Sequence, residues 1–287
     1  MAGDTVGPYT IESELGAGGM GRVYKAVGAD GGAVAVKIVK DEMAGDEIFL
    51  KRFKREAEVA QRIEHPNVVS VIETGDHEGM PWAAQRFISG GSLEERLDRW
   101  GALDLHQVIA IFTQVAGGLD VLHENGLIHR DLKPGNILVD ERGTPFIADF
   151  GLAKDHQNEG TVLTRPGQAL GSMDYMAPEQ IRGEDVGPAT DVYALACMLT
   201  ELLTGQPPFA DQVGMRIMWA HLQDPPPHPS DKKDTLPRQV GDAILKGLAK
   251  EPSERPQSAT EFMTLVSNAA GPPPSPDDNT VVPPPSS

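Results

Sequence analysis

Two periodicities divide the chain. Up to about residue 88, apolar positions alternate or run in β-branched blocks. YTIESELG (9–16), GRVYKAV (21–27) and AVAVKIV (33–39) read as strands separated by glycine-rich turns. Between 46 and 64 the spacing changes. Phe49, Phe53, Glu56, Ala60 and Ile63 recur at intervals of 4, 3, 4 and 3, which is one face of a helix. NVVSVIET (67–74) and PWAAQRFI (81–88) read as two further strands. From residue 92 the period is mainly helical. Leu105, Val108, Ile109, Phe112, Val115, Leu119 and Leu122 form one stripe, stopped by Asn125-Gly126. ILVDERGTPFIAD (137–149) reads as a short hairpin, and residues 190–203 are apolar nearly all round, as in a helix buried on every side. More helical stretches follow, broken at DPPPHPS (224–230), and no internal repeat is visible. The last 17 residues hold seven prolines and no core-forming pattern, so an extended or disordered tail is expected there.

Composition narrows the class. A chain of 287 residues, 39% hydrophobic and 23% charged, has the makings of one large packed domain or two lobes. A formal net charge of −17 disfavours nucleic acid and anionic membrane as general partners, because their phosphates repel it. The single cysteine, Cys197, excludes a disulfide within the chain and fits a reducing compartment. It lies in the apolar run VYALACMLTELL and reads as a core residue. MAGDTVGPYTIES has no apolar signal segment, and no run is expected to reach the ~18–20 residues of a membrane helix. The expectation is a soluble, cytoplasmic chain.

Against this background one polar stretch stands out. HRDLKPGN (129–136) lies between the apolar segments LDVLHENGLI and ILV. It places Asp131 and Asn136 five residues apart with Lys133 between them. Asp149-Phe150-Gly151 closes the hairpin that starts just after Asn136, so strand pairing would bring Asn136 and Asp149 together. An amide and a carboxylate oxygen, completed by phosphate oxygens of a ligand, suit Mg²⁺. Asp131 is then placed to accept a proton from an incoming hydroxyl, and Lys133 to neutralise charge on a transferred group.

Phosphate chemistry is signalled a second time. Gly16-x-Gly18-x-x-Gly21 allows a backbone to approach phosphates closely and to present its N–H groups. A dinucleotide fold uses similar glycines followed by a helix. Here strands follow, so the loop joins two antiparallel strands. In AVAVKIV, Ala33, Ala35 and Lys37 share one face and Val34, Val36 and Ile38 the other, which leaves room beside Lys37 for a flat ligand. Glu56, on the apolar face of its helix, needs a cation if it is buried. Lys37 is one candidate. The alternative is a flank position, with Arg52 or nothing as partner.

Taken together, GAGGMGRV, AVAVK, Glu56, HRDLKPGN, DFG and MAPE (Met176–Glu179) resemble the signature set of the protein-kinase superfamily over roughly residues 9–266. Lys133 in the loop, the compact form, and MAPEQ resemble the bacterial serine/threonine kinases of eukaryotic type. The resemblance implies an α+β, two-lobed kinase fold. A lead (1–8) would precede a small antiparallel β-lobe with one main helix (9–88), a mainly helical lobe (89–268), and the proline-rich tail (269–287). It implies transfer of the ATP γ-phosphoryl group to serine or threonine hydroxyls of proteins, with Mg²⁺ or alternatively Mn²⁺. Asp131, Lys133 and Lys37 would be catalytic. Leu15, Gly16, Gly18, Gly21, Val23, Ala35, Lys37, Glu56, Arg86 and Ile88 would bind ATP, with Lys37 paired to Glu56. Asn136 and Asp149 would hold the metal. Asp191 would brace the HRD loop, and Glu179 would pair with Arg255.

The resemblance also implies a switch. Arg130 before Asp131 signals control by phosphorylation of the segment 149–179. Thr164 is the favoured site and Thr161 the second, with a phosphate bridging to Arg130 and Lys154. Ser172 stands where the family usually has threonine and reads as structural. Gln85 replaces the usual apolar gatekeeper, Arg86 a usual acidic hinge residue, and Ala196 a usual glycine. A pseudokinase scaffold and a small-molecule kinase are the rival readings. Intact Lys37, Asp131, Asn136 and Asp149 oppose the first, and the MAPE-bounded segment opposes the second. A homodimer for trans-autophosphorylation is a family expectation, as is continuation of such a tail toward a membrane anchor, with this chain as its cytoplasmic part.

Overall fold

The computed structural model describes residues 2–18, 21–40, 43, 45, 47–150 and 170–272. Its first lobe is a six-stranded antiparallel sheet of β1 (Thr5–Val6), β2 (Tyr9–Ala17), β3 (Gly21–Val27), β4 (Ala33–Val39), β5 (Val71–His77) and β6 (Met80–Arg86), in the order β1-β2-β3-β4-β6-β5. The alternation read from β4 holds. Val34, Val36 and Ile38 are buried with Tyr24, Ala26, Trp82 and Ala84, and the other face turns Ala35 and Lys37 toward a cleft. The strand expected from residue 67 begins only at Val71. Asn67 and Val69 instead exchange backbone hydrogen bonds with Ile147 of the second lobe, at 2.8 and 2.9 Å. This segment therefore ties the lobes together.

The helix α1 (Glu47–Ala60) corrects one expectation. Its buried residues are Phe49, Phe53, Ala57 and Ala60, while Glu56 is half-buried. At ~100° per residue, Ala57 and not Glu56 occupies the centre of the packed stripe.

The second lobe is built around α3 (Leu105–Glu124) and α5 (Pro188–Thr204), with α2 (Leu93–Trp100), α4 (Pro178–Arg182), α6 (Met215–Gln223), α7 (Arg238–Gly247) and α8 (Ala259–Ala270) packed about them. Asp104 caps α3 by accepting from the backbone of His106 and Gln107. The stripe on α3 is in place, with Val108, Phe112, Val115, Leu119 and Leu122 at zero exposure. By length and composition alone α3 would suffice to cross a membrane, contrary to the expectation that no run reaches that length. Its apolar stripe is spent on the core. α5 is buried on all sides, Cys197 included. Burial pushes the Cys197 thiol far up, so it stays protonated and inert. Ala196 packs against Gly247, where an added Cβ would lie 2.8 Å from its methyl. The extra carbon at 196 is thus accommodated by a missing one at 247. The hairpin of β7 (Ile137–Val139) and β8 (Pro145–Ile147) closes the lobe on the side of the cleft.

Candidate active site

A cleft of about 910 Å³ separates the lobes. Leu15, Gly16, Gly18, Gly21, Val23, Ala35 and Lys37 line it from the first lobe, Arg86 and Ile88 from the connection, and Asp131, Lys133, Asn136 and Asp149 from the second. Among the ligand-facing residues expected from sequence, only Glu56 is not on its wall.

The three glycines of the first loop do different work. A Cβ on Gly21 would lie 2.3 Å from the Ile38 carbonyl oxygen, so Gly21 is needed for β3 to pair with β4. At Gly16 an added Cβ meets nothing within 4 Å, and at Gly18 only the Gly21 oxygen at 4.0 Å. The fold itself does not demand glycine at these two positions. They leave an open backbone surface above the cleft, the cradle a phosphate chain requires.

Lys37 is nearly buried, and its Nζ donates to Asp149 Oδ1 at 2.8 Å. This replaces the expected pair with Glu56. α1 packs on Ala57 and leaves Glu56 half-buried, and the carboxylate bonded to Lys37 is the one at the end of the hairpin. The bond spans the cleft, joining a cation on the first lobe to an anion on the second.

The hairpin brings the remaining groups into register. Ile137 pairs with Ile147, and Ala148 N–H donates to the Asn136 carbonyl at 2.9 Å. Asn136 and Asp149 thus flank the same strand ends. Asn136 Nδ2 donates to the Asp131 carbonyl at 2.7 Å and to its Oδ2 at 3.2 Å, which turns the amide oxygen away as an acceptor. Lys133 Nζ lies 3.8 Å from Asp131 Oδ2.

The loop is held from beneath. Asp191, fully buried at the start of α5, accepts from the backbone N–H of His129 (2.8 Å) and of Arg130 (2.9 Å), and from His123 Nε2 (2.7 Å). Burial raises the Asp191 carboxyl, but the bond from His123 and the charges and N–H groups nearby outweigh it and hold the group below its ordinary value. Arg130 has φ 64°, a left-handed conformation that costs a residue with a Cβ on the order of 1 kcal/mol. Asp191 fixes its N–H, and Gln180 Nε2 fixes its carbonyl at 2.8 Å. Asp149 is likewise left-handed, at φ 55°. The two strained residues flank the site, and bonds from α4, α5 and Lys37 hold them.

Glu179 and Arg255 form a buried bidentate pair at 2.7 and 2.8 Å, with Thr190 Oγ1 donating to Glu179 at 2.8 Å. Burial raises the Glu179 carboxyl, yet Arg255 brings it below its ordinary range. The pair anchors α4, and with it Gln180, under the loop.

Three supporting residues were not singled out in the sequence. They are His123, His129 and Gln180. His129 is fully buried; its Nε2 donates to the Ala148 carbonyl at 3.0 Å, and its Nδ1 accepts from Asp131 N–H at 3.4 Å. The signal for His123 was a histidine one position past the apolar stripe of α3. Thr161, Thr164, Lys154 and Gly151 lie outside the described residues.

Comparison with known proteins accords with this geometry. The model of the protein kinase domain matches residues 9–265. Among curated relatives, the serine/threonine-protein kinase PknD of Mycobacterium tuberculosis is 39% identical over 271 residues, covering 94% of this chain and 40% of PknD. PknH of Mycobacterium bovis is 39% identical over 262 residues, covering 91% of this chain and 44% of PknH. The chain therefore spans about two fifths of the length of these relatives. The crystal structure of the Mycobacterium tuberculosis PknI kinase domain superposes with a TM-score of 0.75 at 32% identity, covering 94% of this chain and 99% of that one.

Proposed function

The chain belongs to the protein kinase family, among the bacterial serine/threonine kinases of eukaryotic type, and we propose that it transfers the γ-phosphoryl group of ATP to serine or threonine hydroxyls of proteins. The observation that carries this reading is that two bonded pairs, Lys37–Asp149 and Asn136–Asp131, stand on the wall of one cleft. A pseudokinase would not need all four groups in reach of one ligand.

In this reading Lys37 takes the phosphate oxygens nearest the base and shares its charge with Asp149. Asp131 orients the substrate hydroxyl and accepts its proton, while Lys133 offsets charge on the group in transfer. The work is positioning and charge neutralisation in a site already rigid. Asn136 and Asp149 would supply hard oxygen ligands for Mg²⁺ or Mn²⁺, and the bound cation would offset phosphate charge. No group of three His, Cys, Asp or Glu among the described residues makes a metal site by itself. Two protein oxygens fit a cation that arrives with a nucleotide. Leu15, Val23, Ala35 and Ile88 enclose the base, and Gln85 with Arg86 edges it.

Thr164, with Thr161 second, is proposed as the regulatory phosphosite read by Arg130, with a second copy of the chain as one source of the phosphate. ATP as substrate places the work on the cytoplasmic side of any membrane. The test is incubation with Mg²⁺ and ATP followed by mapping of phosphosites by mass spectrometry, with Asp149→Asn as control. Phosphate on Thr164 or Thr161 in the wild type alone supports the reading. Nucleotide binding without transfer to itself or to a generic protein substrate overturns it in favour of a scaffold.

A further inference from the structure

The helix α2 brings a second chemistry to the same cleft. Arg96, Arg99 and Trp100 line its wall. Trp100 is 60% exposed, and the two guanidinium groups lie 5.7 and 5.4 Å from its ring centroid. Neither arginine is in an ion pair among the described residues. That is unexpected in a chain with 42 acidic and 25 basic residues. Glu95 stands four residues before Arg99, a spacing that favours a pair on a helix, and the pair is not made.

The acids of α2 are turned elsewhere. The Glu94 carboxylate fills the space over Gly135, 2.7 Å from where a Cβ would lie there, and the Glu95 carboxylate does the same over Gly91. Arg96 makes one long bond, 3.5 Å, to the Asp140 carbonyl, and its Nε is buried without a partner. Two planar cations are therefore held against an exposed indole, with no anion paired to them among the described residues, in the cleft that contains Asp131.

We propose that Arg96, Arg99 and Trp100 form a subsite for an anionic side chain, carboxylate or phosphorylated, of the polypeptide substrate. This rests on the kinase reading above. A guanidinium fork suits a planar or tetrahedral oxyanion, and the indole fixes its direction. The nucleotide's own phosphates have Lys37 and the glycine loop, which leaves this end of the cleft to the second substrate. With a net charge of −17 the protein repels acidic segments at long range, so local cations are what would admit one.

The experiment uses the full chain with Mg²⁺ and a non-hydrolysable ATP analogue, and fluorescent serine peptides titrated by anisotropy. The serine is flanked on one side or the other by glutamates, glutamines, lysines or phosphoserine. At about 50 mM salt one of the glutamate peptides binds roughly fivefold more tightly than its glutamine counterpart. The Arg96→Gln/Arg99→Gln double variant loses that difference while its affinity for the glutamine peptide stays the same. Arg99→Lys retains part of it, and Arg99→Glu shifts the preference toward lysine. A phosphoserine peptide that outbinds glutamate assigns the anion to a primed substrate. Equal binding of glutamate and glutamine peptides by the wild type, or an equal loss for both in the double variant, overturns the subsite. Transfer from ATP to the glutamine peptide is measured in parallel. Its absence beside an intact binding difference removes the enzyme reading and leaves the subsite, and the reverse result does the opposite.

Discussion

Lys37 and Asp149, 112 residues apart in the chain, are joined at 2.8 Å across the cleft. The first carries the cation nearest the glycine loop, and the second ends the hairpin behind Asn136. Removing the cation, as in Lys37→Met, leaves a carboxylate in the cleft without this partner and phosphates without their donor. Phosphoryl transfer is expected to fall by about 10³-fold. Melting temperature should change little, because Lys37 is tied to the cleft and not to the apolar core. A rate assay beside a thermal melt checks both. A variant that retains most of its activity would remove Lys37 from the proposed mechanism.

Asp191 acts through the loop it braces. Asp191→Asn keeps the shape but turns one acceptor oxygen into a donor facing the His129 or Arg130 N–H. Transfer should fall by roughly 10²-fold, chiefly in kcat, with ATP affinity nearly intact. Stability should drop by about 2–4 kcal/mol, the usual cost of disrupting a buried charged acceptor. Separate measurement of kcat, KM for ATP and urea unfolding distinguishes this from a general loss of structure.

The glycine loop gives a contrast between neighbours. Gly21→Ala drives a methyl into the Ile38 carbonyl and should cost about 1–3 kcal/mol, lowering the melting temperature with or without nucleotide. Gly16→Ala meets open space and should leave the melting temperature of the free protein within about 1 °C. Its effect belongs to nucleotide affinity, read by titration calorimetry. Equal destabilisation by both substitutions would contradict the distinction.

Glu201 sets a pH dependence. Tyr175 Oη donates to it at 2.5 Å, and burial pushes its carboxyl up from 4.5 to about 7, with Asp174, Glu94 and Asp98 adding to the rise. The folded state therefore holds a proton that the unfolded chain releases. Between about pH 4.5 and 7 this contribution to stability declines as pH rises, and above 7 the full cost of burying the charge is present. Glu201→Gln accepts the same bond from Tyr175 without a charge. Relative to wild type it should gain on the order of 1–3 kcal/mol at pH 8 and nothing near pH 4.5. Urea unfolding at the two pH values checks the sign.

Much of the site was legible because it is local. The hairpin between Asn136 and Asp149 is short enough that strand pairing alone sets their neighbourhood. Alternation along β4 places Lys37 opposite Val36 and Ile38 whatever surrounds it. The bracing pairs Asp191 with the loop and Glu179 with Arg255 were reached through the kinase resemblance, since neither periodicity nor spacing connects residues 76 apart. His123, His129 and Gln180 were missed because a buried polar residue looks like an exposed one until its partner is known. The three glycines looked equivalent because a motif does not reveal which of them faces another strand.

The sequence by itself determined the two lobes, the order of their elements and the residue types gathered at the cleft. These follow from side-chain period, turn chemistry and burial, which act over a few residues at a time. The tertiary structure decided the partners. Spacing on α1 put Glu56 within one position of the buried face, and a single residue is a turn of ~100°. Packing settled the rotation on Phe49, Phe53, Ala57 and Ala60, and the carboxylate that Lys37 meets is that of Asp149. It also left Arg96 and Arg99 with an indole in place of a carboxylate. A long charged side chain reaches several candidates at similar cost, and only the fixed positions of the elements around it choose among them.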